Sequence, residues 1–200
     1  MLQNMKYGLF DAGLRICSVI SILIFSLLLI LLVVSRSRSP GFTPAPPVLN
    51  PAIITKLPPG TEPGNWKVII IHHSETPDES LSRTAARYTA MGFKGIPFHF
   101  IVHSNGSVEA TSAWKLQVPV PQTMDRDYFN AVSIGICVMG DFSRSGSRPS
   151  SGQISGLIRL TRNLMDTFRI KKVRVLQCSE IDDTLSPGTN FPWRRFLRSL

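Results

Sequence analysis

Cysteine and histidine are scarce in this chain, which has three cysteines and four histidines among its 200 residues. One cysteine, Cys17, lies in a long apolar run, so only Cys137 and Cys178 remain for the rest of the sequence. Two cysteines cannot form the disulfide framework of a small secreted domain. A single bridge between them stays open, although nothing in their spacing favours it.

Acidic residues are also few: 13 Asp and Glu stand against 22 Lys and Arg, which gives a formal net charge of +9. A basic protein attracts nucleic acid, anionic lipid or other anionic polymers. The charge is equally compatible with a solvated basic face beside a membrane. The sequence contains no recognised nucleic-acid-binding motif, and we therefore expect no nucleic-acid partner.

Charge, proline and glycine are all missing from residues 16–34, ICSVISILIFSLLLILLVV. A helix of this length roughly spans the hydrocarbon core of a bilayer, which is about 30 Å thick, so the segment is predicted to be a transmembrane anchor. A cleaved signal peptide would have a shorter apolar core and a small-residue cleavage site, and the following SRSRSP offers none. Lys6 and Arg15 on one side face Arg36 and Arg38 on the other, so charge alone leaves the orientation open.

Residues 35–64 contain eight prolines and no periodic apolar pattern, which is typical of an extended, partly polyproline spacer. The folded domain is therefore predicted at residues 65–200, after a short tail (1–15), the anchor (16–34) and this linker. A domain of that length can bury a core of its own.

The folded part alternates apolar runs of strand length with helical patterns. A continuous aliphatic run at 67–72 predicts a central strand covered on both faces, residues 78–91 predict a helix, and the Asn-Gly turn within 98–110 predicts a hairpin. Two further strands are predicted at 130–139 and 173–178, with an amphipathic helix at 153–168 and a short helix near residue 195. This order favours an α/β fold with a mixed central β-sheet flanked by helices.

His72 and Cys178 stand at the carboxyl ends of two predicted strands, where open α/β sheets place their sites. A hydrolytic zinc ion takes three protein ligands from His, Cys and carboxylate side chains and keeps one position for water. His73 is expected to face away from His72, because side chains alternate along a strand. His99 and His103 share a face, and we interpret them as packed or solvent-facing strand residues. Adjacent histidines at a strand end are also compatible with a purely structural role.

Five segments in a fixed order carry a family resemblance: WKVIIIHHSETP, GIPFHFIVHSNGSV, NAVSIGICVMGDF, the amphipathic helix opened by Gln153, and VRVLQCSEIDDTLSPGTNFPW. In that order they resemble the zinc-dependent N-acetylmuramoyl-L-alanine amidases, a family that includes phage T7 lysozyme and the peptidoglycan recognition proteins. The resemblance extends over residues 66–197. It implies a peptidoglycan substrate, and cleavage by a zinc-bound water of the amide between N-acetylmuramic acid and the first L-alanine of the stem peptide.

The resemblance also implies which residues occupy the family's site. The first zinc ligand corresponds to His72, the second to Cys178 in place of a histidine, and the third to Ser186 in place of a cysteine or aspartate. A helper residue corresponds to Thr184, and Phe98 replaces a tyrosine that often assists catalysis. A thiolate binds zinc well, whereas a serine hydroxyl is a poor ligand. Zinc is thus a possible cofactor, and we expect its affinity to be weakened by several kcal/mol out of roughly 10–16 for a full structural site.

Glu180 and Asp182, in the loop after Cys178, could in principle replace the missing ligand, although the resemblance gives them no such role. Three functions remain open: a membrane-anchored peptidoglycan-binding domain with lost or weakened hydrolysis, an active amidase with an altered zinc site, and a protein-interaction module without glycan binding. The first two expect a peptidoglycan or muropeptide partner and a single-pass protein of the cytoplasmic membrane. Its amino-terminal tail would lie in the cytoplasm and its domain in the periplasm or at the cell exterior.

Overall fold

The computed structural model describes residues 52–55, 57–123 and 126–200, which all fall within one compact unit, Ala45–Leu200. The predicted tail (1–15), the predicted transmembrane anchor (16–34) and part of the predicted linker lie outside the described residues. Among the residues that are described, no helix is both long enough and apolar enough to cross a membrane.

A five-stranded mixed sheet forms the centre of this unit, in the order β3-β2-β4-β1-β5. The strands are β1 (Val68–His73), β2 (Phe100–Val102), β3 (Val108–Ala110), β4 (Ser133–Val138) and β5 (Val175–Gln177). The α-helices of the described part are α1 (Ala52–Thr55), α2 (Leu81–Ala90), α3 (Ser112–Leu116), α4 (Asp127–Val132), α5 (Ser151–Phe168) and α6 (Trp193–Arg198). β1 pairs in parallel with β4 and β5, β4 pairs in parallel with β2, and β3 runs antiparallel to β2. The predicted mixed sheet with flanking helices is confirmed.

The central strands are buried on both faces, as their unbroken aliphatic sequence predicts. Every residue of β1 and of β4 is buried. Ile69 and Ile71 pack in the cluster that includes the buried face of α5, whereas Val68 and Ile70 pack in a second cluster with Cys178. β1 therefore separates two packed layers, and its carboxyl end is held rigidly between them.

Side-chain caps decide where the two longer helices begin. α5 begins after Ser150, whose hydroxyl accepts a hydrogen bond from the Gln153 N–H, while Gln153 Oε1 accepts one from the Ser150 N–H, both at 3.0 Å. α2 begins later than the predicted residue 78, because Ser80 is its N-cap. Asp78 instead accepts hydrogen bonds from the backbone and hydroxyl of Ser104.

The predicted hairpin is present as β2 and β3, and its turn is packed against α5. Asn105 Oδ1 accepts a hydrogen bond from the Ser107 N–H at 2.8 Å, and Gly106 has a φ of +84°. A Cβ atom at Gly106 would collide with the backbone of Gly152 in α5. Glycine is therefore required there both by the turn and by the close approach of the helix.

Two predicted strands are shorter in the structure. Residues 130–132, predicted as the start of a strand, form the last turn of α4, and β4 begins at Ser133. The Asn130 side chain explains the difference, since its Oδ1 accepts hydrogen bonds from the N–H groups of Gln122 and Thr123 and ties the helix to that loop. The strand predicted at 173–178 retains Val175–Gln177, because 3-10 turns form on both sides of it.

The packed part of the chain also begins before residue 65. Ile54 of α1 is 2% exposed and lies in the main core, and Ile53 and Leu57 pack against that core. The Ile53 carbonyl accepts a hydrogen bond from Trp114 Nε1 at 3.0 Å. Part of the predicted linker (35–64) therefore packs with the domain. Ile53 and Ile54 lie in a proline-rich segment that has no periodic apolar pattern. The sequence therefore gives no indication that they pack against the core.

Candidate functional site

The sequence-predicted site residues meet at the carboxyl ends of β1 and β5. These strands are parallel neighbours, so His72 near the end of β1 and Cys178 directly after β5 lie at the same edge of the sheet. The loop that follows Cys178 returns to β1, where Ser186 Oγ accepts a hydrogen bond from the His73 N–H at 3.1 Å. The Ser186 carbonyl also accepts one from the Ser179 N–H at 2.8 Å. Parallel pairing and this loop together bring the three family ligand positions to one region.

The His72 imidazole is hydrogen-bonded to a residue that sequence reasoning missed. Gln122 Nε2 donates to the Val120 carbonyl at 3.2 Å, so Gln122 Oε1 faces His72 and accepts from its Nε2–H at 3.0 Å. Burial lowers the pKa of His72 to about 4, against a smaller upward effect of the Gln122 hydrogen bond. The imidazole is therefore neutral near pH 7, with its proton on Nε2.

Gln122 is held in this position from two sides. Its N–H donates to Asn130 Oδ1 at 2.7 Å, which fixes the backbone. Gly135 of β4 provides the space for its side chain, since a Cβ atom at that position would collide with the Gln122 amide. Gln122 belongs to none of the segments that carry the family resemblance, and no feature of the sequence indicates its contact with His72.

The Cys178 thiol is buried beside the same loop. Its S–H points at the Gln122 carbonyl oxygen, 3.8 Å away. Burial raises the pKa of Cys178 to about 12, and the negative charge of Asp182 adds to the effect. The side chain is therefore a neutral thiol near pH 7. Cys178 and Cys137 are both free, so the disulfide that the sequence left open does not form.

Ser186 and Thr184 form the far side of the region. The Ser186 side chain is buried, and its N–H donates to Thr184 Oγ1 at 3.2 Å. Thr184 thus fixes the backbone that carries Ser186, while its predicted role as a helper in catalysis stays a prediction. His73 faces the other side of the sheet, as strand alternation predicts: its Nδ1 accepts from the Phe142 N–H at 3.2 Å.

Phe98 lies against His72, with the two ring centroids 5.0 Å apart. Its other neighbour is Tyr88, whose ring meets it edge-on at 5.6 Å. His72, Phe98 and Gln122 open onto a shallow cavity of about 160 Å³, which Asp182 also lines. A larger cavity of about 540 Å³ adjoins it and shares Phe93, Pro97 and Pro121. A ligand at His72 could therefore extend along an apolar groove.

The other two histidines are accounted for by packing and ion pairs. His99 is fully buried between Trp66 and Trp114, with Nε2–H donating to the Val118 carbonyl at 3.1 Å. His103 lies outside this region and pairs with Asp78, its Nδ1 being 2.7 Å from a carboxylate oxygen. Neither histidine is available as a substitute ligand at His72.

The side chains at the family's ligand positions do not fit a zinc ion as they are arranged. His72 keeps a lone pair on Nδ1, because its proton is on Nε2, but Cys178 is a protonated thiol and Ser186 offers a neutral hydroxyl that already accepts a hydrogen bond. Zinc requires deprotonated thiolate or neutral imidazole ligands with free lone pairs. Within residues 52–55, 57–123 and 126–200, no three His, Cys, Asp or Glu side chains are grouped so that they could hold a metal ion.

Residues 62–189 match the family described as N-acetylmuramoyl-L-alanine amidase. The chain therefore belongs to the N-acetylmuramoyl-L-alanine amidase family, and the predicted family is confirmed. The matched range includes the five site residues that the sequence predicted: His72, Phe98, Cys178, Thr184 and Ser186. None of the curated proteins matches the chain in sequence.

Solved structures with this fold come from amidases and from peptidoglycan recognition proteins. N-acetylmuramoyl-L-alanine amidase LysC from Clostridium intestinale URNW is 22% identical, with a TM-score of 0.59 over 66% of this chain and 83% of that chain. Drosophila peptidoglycan recognition protein SD is 16% identical, with a TM-score of 0.54 over 69% and 86%. Human PGRP-IBETAC in complex with glycosamyl muramyl pentapeptide is 20% identical, with a TM-score of 0.55 over 66% and 84%. At such low identities these similarities establish the fold alone.

Proposed function

We propose that this domain binds peptidoglycan and that its zinc-dependent amide hydrolysis is lost or weakened. Membership of the amidase family supports the ligand class. Among the proteins that share the fold, a human one was solved in complex with glycosamyl muramyl pentapeptide. A fold that binds a wall fragment can keep that function after its catalytic groups have changed, because binding and bond cleavage use different side chains.

The second and third ligand positions are the observation that carries the loss of hydrolysis. The Cys178 thiol is buried beside the Gln122 carbonyl, and a metal ion would have to deprotonate it although burial raises its pKa to about 12. His72 could still bind a metal ion through Nδ1, because its proton is on Nε2. Ser186, at the third position, adds no negative charge to offset the cost of deprotonating Cys178.

The cavity beside His72 is suited to hold a sugar or an amide without cleaving it. Phe98 and Phe93 present apolar ring surface, while Gln122 and Asp182 present an amide and a carboxylate. Small-ligand sites generally combine apolar walls with a few placed polar groups. Peptidoglycan offers both partners, since its sugars and stem peptides carry apolar faces beside hydroxyl and amide groups.

The proposed location follows from the ligand and the predicted anchor. Peptidoglycan lies outside the cytoplasmic membrane, so residues 1–15 would be cytoplasmic, residues 16–34 would span the membrane, and the domain would face the periplasm or the cell exterior. With Ile53, Ile54 and Leu57 packed in the domain, the proposed tether is residues 35–51. At up to about 3.1 Å per residue in polyproline form, it reaches on the order of 50 Å.

A fragment from Ala45 to Leu200 tests this proposal, because it contains the whole described core. We expect the fragment to co-sediment with purified peptidoglycan sacculi, to release no stem peptide from them, and to hold no stoichiometric zinc after incubation with excess metal. The variant Phe93→Ala should sediment less, whereas Tyr128→Ala, an exposed ring outside the cavity, should behave as the parent. A fragment that stays in the supernatant would contradict peptidoglycan binding.

One observation favours an active amidase as the second candidate. Asp182 lines the cavity with His72, and its charge acts on both His72 and Cys178. A carboxylate at that position could serve as a third metal ligand in place of Ser186 after a rearrangement of these side chains, since they are not grouped for a metal ion as they stand. This candidate expects one zinc per chain and release of stem peptide, both lost in His72→Ala and in Asp182→Asn. Equal release by the parent and His72→Ala would exclude it.

A further inference from the structure

We propose that the turn at residues 169–174, RIKKVR, docks on an anionic lipid bilayer. We call these six residues the basic turn. The proposal goes beyond peptidoglycan binding and rests on the proposed function only for the membrane anchor that brings the domain to the bilayer. The family's activity and ligand do not require such a surface.

The basic turn is a fixed projection between α5 and β5. Ile170 and Val175 are buried in the main core on either side of its tip. The Arg174 N–H donates to the Lys171 carbonyl at 2.8 Å and closes a 3-10 turn. All four residues at the tip, 171–174, are exposed. The turn therefore presents the same side chains to its surroundings without a cost for ordering the backbone on binding.

Positive charge is concentrated on the basic turn. Arg169, Lys171, Lys172 and Arg174 are exposed, and the sequence has no acidic residue between Asp166 and Glu180. In the described part of the chain these four cations form no salt bridge, whereas Arg87 and Arg144 do. Lys67, just before β1, adds a fifth exposed cation at the same end of the sheet, since β1 and β5 pair in parallel from Ile69 and Val175.

The residue at the tip indicates a bilayer rather than a soluble polyanion. Val173 is 75% exposed, more than any other large hydrophobic side chain in the described residues. Cations that frame an exposed aliphatic side chain are typical of segments that lie in the interface of anionic membranes, where the apolar group is buried and the charges meet headgroups. A nucleic acid or another polyanion would attract the cations but would gain little from the valine.

The position of the basic turn suits a tethered domain. The turn precedes β5, whereas His72 lies at the carboxyl end of the parallel strand β1, so the turn and the candidate site are at opposite ends of the sheet. Trp114 links α1 to the end of α5 that precedes the turn: it donates to the Ile53 carbonyl and packs edge-on against Phe168, with ring centroids 5.8 Å apart. Docking would leave the site facing away from the bilayer. A tether raises the local concentration of the surface, so even weak binding would orient the domain.

Vesicle flotation of the Ala45–Leu200 fragment tests the proposal, because this fragment lacks the predicted anchor and contains the described core. The probes are vesicles of phosphatidylcholine alone, and of phosphatidylcholine with phosphatidylglycerol in equal parts. We expect flotation with the anionic vesicles only. The double variant Lys171→Gln/Lys172→Gln should bind about 25-fold more weakly, at about fivefold per basic residue near an anionic surface. Val173→Ser, which removes the apolar group without changing the charge, should also weaken binding, and the matched control Arg83→Gln/Arg148→Gln should change it little.

Each result decides one point. Equal weakening by the control pair would overturn the proposal, because binding would then follow net charge rather than the basic turn. Vesicle binding that Val173→Ser leaves unchanged, together with equal retention of the parent and Val173→Ser on heparin, would assign the surface to soluble polyanions and overturn the bilayer. Failure to float by a fragment that still sediments with sacculi would reject docking and leave peptidoglycan binding intact. A fragment that floats with anionic vesicles but does not sediment with sacculi would support docking and contradict peptidoglycan binding.

Discussion

His99 is a titratable side chain that is fully buried, with no access to water. It packs between Trp66 and Trp114, donates to the Val118 carbonyl and accepts from the Gly135 N–H, and burial lowers its pKa to about 4. The unfolded chain takes up a proton on His99 near pH 6.5, whereas the folded chain does so only near pH 4. The free energy of unfolding should therefore fall as the pH drops from 6.5 to 4, on the order of 3 kcal/mol from this residue.

Urea denaturation of the Ala45–Leu200 fragment at several pH values measures this loss. His72 and His73 are also buried with lowered pKa values and act in the same direction, so variants must isolate His99. The pH dependence should shrink in His99→Gln and persist in His103→Gln, whose parent side chain is already paired with Asp78. The same slope in the parent and in His99→Gln would show that the ring is protonated in the folded protein.

At the same scale, His72 and Gln122 show what a sequence can and cannot indicate about a site. His72 was predictable, because an aliphatic run that ends in a histidine has a strand's length and places that side chain at the sheet edge. Gln122 was not, because its contact with His72 depends on space left by Gly135 and on the Asn130 side chain. Such contacts arise from packing between distant segments, and no local pattern encodes them.

The elements follow local signals where those signals are strong. The 18-residue helix α5 agrees with its apolar period, and its capping box places its start within a few residues of the prediction. Its N-cap is also a tertiary contact, since the Ser150 hydroxyl donates to the Ser104 carbonyl at 2.6 Å. The short helices α3 and α4 were not predicted, because they carry little periodicity and neither begins with a side-chain cap that could mark it in the sequence.

Replacing Ser150 tests how much this cap contributes to stability. Ser150→Ala removes the acceptor for the Gln153 N–H and the donor to Ser104, and we expect the free energy of unfolding to fall by about 1–2 kcal/mol. The measurement is urea denaturation followed by circular dichroism. Ser151→Ala is the matched control, since its exposed side chain stands at the first helical position, and it should change stability by less than about 0.5 kcal/mol. Equal effects of the two variants would mean that the cap adds nothing.

For the whole molecule, the two ends of the mixed sheet carry regions of different character. The carboxyl ends of the strands carry the aromatic and amide groups beside His72, and the amino end of β5 carries the basic turn. This separation also explains how a formal charge of +9 is compatible with a ligand cavity that contains a carboxylate, Asp182. Net charge therefore says little about the site itself, and the distribution of the cations says more.

The boundary of the molecule can be tested by truncation. The sequence predicts that the domain starts at residue 65. A fragment from Asn65 to Leu200 lacks the buried Ile54, and it also lacks the Ile53 carbonyl that accepts a hydrogen bond from Trp114 Nε1. Burial of one isoleucine is worth about 1.5–3 kcal/mol, and the lost hydrogen bond about 1 kcal/mol. We therefore expect this fragment to be less stable than Ala45–Leu200 by on the order of 3 kcal/mol in urea denaturation. Ile54→Ala in the longer fragment should reproduce most of that loss. Equal stability of the two fragments would mean that residues 52–57 belong to the tether, which would lengthen its reach by roughly 20 Å.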